Sequence, residues 1–128
     1  MSYIDDSKAT NLDATKSALQ TFPAGKIILI LGGRDKGCCF RSLKNLVKKR
    51  VKQIILLGEA AKRIENELSG CSLPIRKVSS LEEAAKLGKK LAKKGDFVLL
   101  SPACSSFDMF ADYKERGNVF KRAVQNLS

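Results

Sequence analysis

Three observations predict an α/β fold, a Rossmann-like, doubly wound, mostly parallel sheet with helices on both faces in three αβα layers. Residues 26–31 and 96–100 are largely apolar runs without alternation, which is typical of strands covered on both faces. Segments with apolar side chains at helical spacing separate such runs. Strands and helices that alternate along a chain in this way build parallel sheets.

The first half of the chain contains three predicted strands and three predicted helices. Asn11 or Asp13 can cap the first helix, which stops before Pro23. Gly58 ends the third strand, and Gly70 follows the third helix as a stop signal. In chain order the segments are a strand at residues 3–4, a helix before Pro23, a strand at 26–31, a helix at 41–49, a strand at 51–57 and a helix at 59–68.

The second half repeats this alternation and ends in a helix. Ser80 and Glu83 have the spacing of a capping box, which places a helix start at residue 81. Gly95 marks the end of that helix. The predicted segments are a strand at 75–78, a helix at 81–93, a strand at 96–100 and a helix at 116–127.

The chain is strongly basic, with 24 Lys and Arg residues against 13 acidic ones and a net charge of +11. Such a balance can indicate binding to nucleic acid or another polyanion. The lysines, among them Lys48, Lys52 and Lys90, alternate with apolar residues at helical spacing, which is typical of solvated helix faces. Aromatic residues are only 6% and do not interleave with basic ones. A basic α/β binding module for nucleic acid or another polyanion is therefore an alternative rather than the first interpretation.

Length and cysteine usage exclude several classes of protein. At 128 residues the chain is expected to form a single domain over residues 1–128. There is no histidine and no C-x-x-C pair, so neither a zinc site nor a disulfide framework is predicted. We interpret Cys104 as a small packing residue rather than a nucleophile. No apolar run approaches the roughly 20 residues of a membrane helix and no secretory signal is visible, so we expect a cytoplasmic location.

Three polar loops follow predicted strands, at residues 5–11, 32–37 and 101–108. The carboxyl ends of parallel strands meet at one edge of a sheet, where ligands bind. Hydroxyl and amide donors in such loops suit a carboxylate or a phosphate, although the third loop also fits an ordinary turn with serine caps. Neither G-x-x-x-x-G-K-[ST] nor G-x-G-x-x-G occurs, so the chain is not expected to hold a complete nucleotide site by itself.

Four segments match the motifs of one known family. They are Asp6-Ser7-Lys8-Ala9-Thr10-Asn11, Leu31-Gly32-Gly33 with Lys36 and Phe40, Leu100-Ser101-Pro102-Ala103-Cys104-Ser105-Ser106-Phe107-Asp108, and Tyr113 with Glu115-Arg116-Gly117-Asn118 and Phe120. Together they resemble the C-terminal domain of the Mur ligases of peptidoglycan synthesis. The resemblance covers nearly the whole chain, and the serine-rich motif with its following Arg-Gly pair is specific to that family.

The resemblance implies a domain excised from a three-domain, ATP-dependent ligase. It is closest to the members that add D-glutamate to UDP-N-acetylmuramoyl-L-alanine through an acyl phosphate. ATP and Mg²⁺ would be required and held mainly by the central domain of such an enzyme, so the isolated domain is expected to be inactive. A sister ligase with another amino-acid substrate is a second alternative.

The resemblance also implies which residues contact D-glutamate. Lys36 and Thr10 would bind its α-carboxylate. Ser106, with the backbone around Phe107 and the region of Tyr113, would bind its γ-carboxylate. A lysine supplies charge, and hydroxyl and amide groups supply direction.

On the nucleotide side, the resemblance assigns Asp6 to the ATP ribose or its neighbourhood and Lys8 to the phosphates. Helix capping is the alternative for Asp6. Arg116 is interpreted as a structural residue that ties a loop to the last helix, and no catalytic residue is assigned to this domain.

Overall fold

The computed structural model describes residues 2–34, 37, 39–104, 106 and 110–127, and in these residues strands and helices alternate as predicted. One turn of 3-10 helix, Phe40–Leu43, precedes the second α-helix. The other elements are β1 (Ser2–Asp5), α1 (Leu12–Thr21), β2 (Ile27–Gly32), α2 (Lys44–Arg50), β3 (Val51–Leu57), α3 (Ala61–Glu67), β4 (Ile75–Lys77), α4 (Leu81–Leu91), β5 (Phe97–Leu100) and α5 (Tyr113–Gln125).

The strands of the described residues form one sheet in the order β1-β5-β2-β3-β4, and each neighbouring pair is parallel. The chain steps outward from β2 to β4 and then returns through α4 to β5, which lies between β1 and β2. This winding confirms the predicted doubly wound α/β fold. Among the described residues, no helix is both long enough and apolar enough to cross a lipid bilayer.

Two hydrophobic cores lie on the two faces of the sheet. Along β2, Leu29 and Leu31 contribute to the core covered by α1, α2, α3 and the 3-10 turn. Ile28 and Ile30 contribute to the core covered by α4 and α5. Because successive side chains of a strand point to opposite faces, a strand covered on both sides must be apolar throughout. This explains why all six residues of β2 are buried.

The exposed lysines of α2 and α4 lie on opposite sides of the sheet, because these helices pack on different cores. They include Lys48 and Lys49 on α2 and Lys86 and Lys90 on α4. The prediction of a solvated helix face is wrong for Lys52, which lies in β3 and pairs with Asp96 at 2.7 Å. The basic residues of these two helices therefore do not form the single face that a polyanion-binding module requires.

Two helix bounds differ from prediction because an aspartate side chain caps the backbone. α5 begins at Tyr113 rather than at residue 116, because Asp112 accepts a hydrogen bond from the amide of Glu115 at 2.8 Å. α4 ends at Leu91 rather than at residue 93, since the Asp96 carboxylate accepts a hydrogen bond from the amide of Lys93 at 2.8 Å. That bond turns the chain before β5 begins.

Two other α-helices begin later than predicted, and their N-cap residues make no side-chain cap hydrogen bond. The predicted helix at 41–49 starts as the 3-10 turn, which brings Phe40 and Leu43 into the core together at i, i+3 spacing. α3 begins at Ala61 rather than at residue 59. The amide of Ala60 instead donates to the carbonyl of Gly33 at 2.9 Å, so the entry to α3 is tied to the loop after β2.

Candidate functional site

The loops after β1, β5 and β2 emerge side by side, because these three strands are neighbours in the sheet. Ile30 and Leu100 are register partners at the carboxyl ends of β2 and β5. The amide of Asp6 donates to the carbonyl of Leu100 at 2.8 Å. The amide of Gly32 donates to the carbonyl of Pro102 at 3.1 Å. The described parts of the three polar loops therefore meet at one edge of the sheet, as predicted.

Gly32 ends β2 in a conformation that excludes other residue types. Its φ is +135°, and a Cβ atom at this position would lie 1.9 Å from the carbonyl oxygen of Leu57. Such a contact is impossible without moving the backbone of β3. The glycine thus allows the loop after β2 to cross directly over the end of β3.

A cleft of about 530 Å³ lies between the loop after β1 and the first half of α5. Three predicted ligand residues line it, namely Asp6, Lys8 and Tyr113. The other lining residues are Asp5, Ser7, Lys114, Gly117, Asn118 and Lys121. The fold thus brings together two residues predicted for ATP and one predicted for D-glutamate.

Asp6 is held in place by the loop after β5. Its Oδ2 atom accepts a hydrogen bond from the Ser101 hydroxyl at 3.0 Å. Ser101 is completely buried, and its carbonyl accepts a hydrogen bond from the Thr15 hydroxyl at 3.0 Å. The capping role in α1 belongs to Asn11, whose side chain accepts from the amide of Ala14 at 2.9 Å. Asp6 is therefore a positioned carboxylate at the cleft and not a helix cap.

Asp5 provides a second carboxylate in the same cleft. Its Oδ1 atom accepts hydrogen bonds from the Ser7 amide at 3.0 Å and from the Ser7 hydroxyl at 2.6 Å. The Lys121 ammonium lies 3.7 Å from Oδ2. A Cβ atom on Gly117 would lie 2.9 Å from Asp5 Oδ2 and 3.2 Å from Ser7 Oγ. Glycine at position 117 therefore lets α5 pack directly against this turn.

The cleft combines hydrogen-bonded acceptors with exposed cations. Asp5 and Asp6 are anchored by hydrogen bonds, whereas Lys8, Lys114 and Lys121 are exposed lysines at its rim. Positioned carboxylates can accept hydrogen bonds from hydroxyl groups, and ammonium groups attract phosphate. The arrangement is chemically suited to a ligand that carries both hydroxyls and phosphates.

Ser106 lies apart from the cleft and is 1% exposed. Its carbonyl accepts a hydrogen bond from the amide of Phe110 at 2.8 Å. Its hydroxyl has no hydrogen-bond partner among the residues that the structure describes. Because buried hydroxyl groups are nearly always hydrogen-bonded, a partner for this one is expected outside the described residues, either in the rest of this loop or in a ligand.

Of the other residues predicted to contact D-glutamate, Thr10 lies outside the cleft, and Lys36 and Phe107 fall outside the described residues. Thr10 is partly buried in the loop between β1 and α1, where its amide donates to the carbonyl of Lys8 at 2.7 Å.

Arg116 is buried beneath the loops and is 3% exposed. Its guanidinium donates to the carbonyl of Cys104 at 2.9 Å and to the carbonyl of Ser7 at 2.8 Å. These bonds tie two loops to α5, whereas the sequence interpretation had Arg116 tie a single loop to the last helix. Cys104 is 2% exposed and belongs to a hydrophobic core, which confirms its interpretation as a packing residue.

A search against models of known families identifies the chain. The family described as "Mur ligase, glutamate ligase domain" matches residues 1–104. The chain belongs to this family.

Curated relatives of this Mur ligase domain match nearly its whole length. The protein named UDP-N-acetylmuramoylalanine–D-glutamate ligase from Salinibacter ruber is 46% identical over 125 residues, which is 98% of this chain and 27% of the relative. The proteins of the same name from Chlorobaculum parvum and Geotalea daltonii are 47% and 48% identical over 98% and 100% of this chain. The chain spans 27–28% of the length of these three relatives.

Several polar residues of the Mur ligase domain's site were not singled out from the sequence. Ser101 lies in the serine-rich motif but orients Asp6 instead of facing the cleft. Lys114, Gly117, Asn118 and Lys121 follow i, i+3, i+4, i+7 spacing and share one face of α5. That spacing is visible in the sequence, but the predicted helix began only at residue 116 and so left out Lys114, the first residue of the face.

Proposed function

We propose that this chain is the D-glutamate-binding domain of an ATP-dependent ligase that adds D-glutamate to UDP-N-acetylmuramoyl-L-alanine in peptidoglycan synthesis. The observation that carries the proposal is the cleft that brings Asp6, Lys8 and Tyr113 together at the carboxyl edge of the sheet. The names of the curated relatives support it. The domain is one part of a longer cytoplasmic protein and is inactive when isolated.

In the proposed reaction, the L-alanyl carboxylate attacks the γ-phosphorus of ATP, which gives an acyl phosphate and ADP. The amine of D-glutamate then attacks the acyl carbon and loses a proton, and inorganic phosphate leaves as the amide forms. This domain contributes binding and orientation of the amine and exclusion of water from the acyl phosphate.

D-Glutamate carries two carboxylates, and each of them requires hydrogen-bond donors or a cation in the binding site. Lys36 and Thr10 bind the α-carboxylate, and Ser106, the backbone around Phe107 and the region of Tyr113 bind the γ-carboxylate. The buried Ser106 hydroxyl supports this assignment, because no described residue uses its hydrogen-bonding capacity. A charge-assisted hydrogen bond to a carboxylate is stronger than one between neutral groups, so a single hydroxyl can contribute substantially.

The nucleotide is bound from the loop after β1. Asp6, held by Ser101, accepts hydrogen bonds from the ribose or its neighbourhood, and Lys8 contacts the phosphates. When bound, Mg²⁺ would neutralise phosphate charge. The described residues contain no group of three or more Asp, Glu, His or Cys side chains that could hold a metal ion. We propose that Mg²⁺ is held mainly by the central domain of the full-length enzyme, as the resemblance to the Mur ligases implies.

An assay of the full-length protein tests the proposal. With ATP, Mg²⁺ and UDP-N-acetylmuramoyl-L-alanine present, phosphate release is expected to depend on D-glutamate and not on L-glutamate. Dependence on a different amino acid would identify a sister ligase instead. Absence of amino-acid-dependent release, together with salt-sensitive binding of a short DNA duplex, would favour the basic binding module.

A further inference from the structure

One buried side chain contacts two of the loops that the proposed function assigns to different ligands. The loop after β1 carries Asp6 and Lys8, and the loop after β5 carries Ser106. Arg116 lies under both loops, on the first turn of α5. Its Nη2 atom donates to the Ser7 carbonyl and its Nη1 atom donates to the Cys104 carbonyl.

Each of these carbonyls lies close to a predicted ligand residue. Ser7 is flanked by Asp6 and Lys8, and Cys104 lies two positions before Ser106. The two carbonyls lie 97 positions apart along the 128-residue chain, because Ser7 lies 109 positions before Arg116 and Cys104 lies 12 positions before it. A shift of either loop therefore strains a hydrogen bond to the same guanidinium.

The chemistry of arginine matters for this contact. A guanidinium holds its donors in one rigid plane, so the positions of its two acceptors are fixed relative to each other. A lysine ammonium keeps the charge but has a single, freely rotating donor centre and no such plane. The site is also closed to water, because Arg116 is 3% exposed and Ser7 is 5% exposed.

We propose that Arg116 is a positioning residue that fixes the nucleotide loop after β1 and the D-glutamate loop after β5 relative to each other. The proposal rests on the proposed function for the identity of the two ligands. It predicts that one substitution at position 116 alters the binding of both ligands, although the side chain contacts neither of them.

Arg116→Lys in the full-length protein tests this role through the two Michaelis constants. We expect the KM for ATP and the KM for D-glutamate each to rise about fivefold or more, because misplaced binding groups weaken the productive complex. The kcat measured with both substrates saturating is expected to change less than either KM. A purely structural role predicts a different pattern. A smaller fraction of the enzyme would be active, which lowers the apparent kcat, and both KM values would stay unchanged.

Arg122→Lys is the matched control, because it makes the same change at an exposed position of the same helix. It is expected to leave both KM values unchanged. If Arg116→Lys raises only one KM, or neither, the loops are not linked through Arg116 and the proposal is wrong. Failure of the proposed function is distinct, since it appears as a wild-type protein without D-glutamate-dependent phosphate release.

Gly117→Ala provides a second test if Arg116→Lys does not fold. The added Cβ would press on Asp5 and Ser7 and leave Arg116 in place. If the loops are linked, displacement of the loop after β1 raises the KM for D-glutamate as well as the KM for ATP. An increase confined to ATP would contradict the link.

Discussion

At the amino edge of the sheet the buried Asp96 carboxylate has two partners, whereas at the carboxyl edge the buried Ser106 hydroxyl has none among the described residues. Asp96 accepts hydrogen bonds from the Lys52 ammonium at 2.7 Å and from the Lys93 amide at 2.8 Å. A satisfied buried group stabilises the fold, whereas an unsatisfied one costs stability unless a ligand completes it. We expect from this difference that the amino edge contributes mainly to stability, while under the proposed function the carboxyl edge binds the ligand.

One arginine near each edge of the sheet forms hydrogen bonds of a different kind: Arg50 lies directly before β3, and Arg116 lies under the loops after β1 and β5. Arg50, at the end of α2, donates to the carbonyls of Leu19 and Phe22, both at the carboxyl-terminal end of α1. Arg116 donates instead to carbonyls of two separate loops. Arg50 therefore completes the end of one helix, while Arg116 joins segments that carry different predicted ligand residues.

The largest expected effect is that of Ser106→Ala on D-glutamate. Loss of a hydrogen bond to a charged group costs about 1.5–3 kcal/mol, so the KM for D-glutamate should rise about ten- to hundredfold. The free energy of unfolding of the ligand-free protein should not fall, because the substitution removes a buried hydroxyl that has no partner among the described residues. Kinetics and urea unfolding measure the two quantities, with exposed Ser69→Ala as the control. A stability loss with an unchanged KM would reverse the roles assigned to the two edges.

Asp96→Asn should show the opposite pattern. It removes the charge that pairs with Lys52 and weakens the bond to the Lys93 amide, so the free energy of unfolding at pH 7 should fall by about 1–3 kcal/mol. Both KM values of the full-length protein should stay at the wild-type level, since Asp96 lies at the opposite edge from the site. A raised KM would show that the two edges are not independent.

The stability contributed by Asp96 should also depend on pH. Burial alone would raise the pKa of Asp96, but hydrogen bonds from Lys52 and Lys93 and the charges of Lys52 and Lys26 outweigh burial and lower it. Because the pKa is lower in the folded than in the unfolded state, this contribution is present at neutral pH and is lost as pH falls from about 4 through the folded pKa. The difference in unfolding free energy between wild type and Asp96→Asn should therefore shrink below about pH 4. A difference that stays constant from pH 7 to pH 3 would contradict this assignment.

The smallest expected effect is that of Arg50→Lys. A lysine can bind the last carbonyls of α1 but not in the same planar arrangement, so the loss of unfolding free energy should be about 1 kcal/mol or less. Thermal unfolding measures this loss, and both KM values should be unchanged. Arg50 binds the end of one helix, whereas Arg116 links two loops, so only Arg116→Lys is expected to raise the KM values.

The sequence was informative wherever the pattern is local. Apolar runs predicted β2 and β5, the Ser80–Glu83 spacing predicted the start of α4, and the motif residues predicted where polar loops meet. The pairing of Lys52 with Asp96 was missed because it joins residues 44 positions apart and depends on strand order. The shared cleft of Asp6 and Tyr113 was missed for the same reason, together with the unrecognised Asp112 cap that extends α5 toward the loop.

Amide hydrogen exchange of the full-length protein, with ATP analogue and UDP-N-acetylmuramoyl-L-alanine bound, tests most directly whether the carboxyl edge holds the amino acid. Adding D-glutamate should slow exchange in peptides that cover residues 100–106, more than adding L-glutamate does. Peptides that cover residues 92–97 at the amino edge should not change. Equal effects of the two isomers, or protection at the amino edge in place of the carboxyl edge, would contradict the division of roles between the edges.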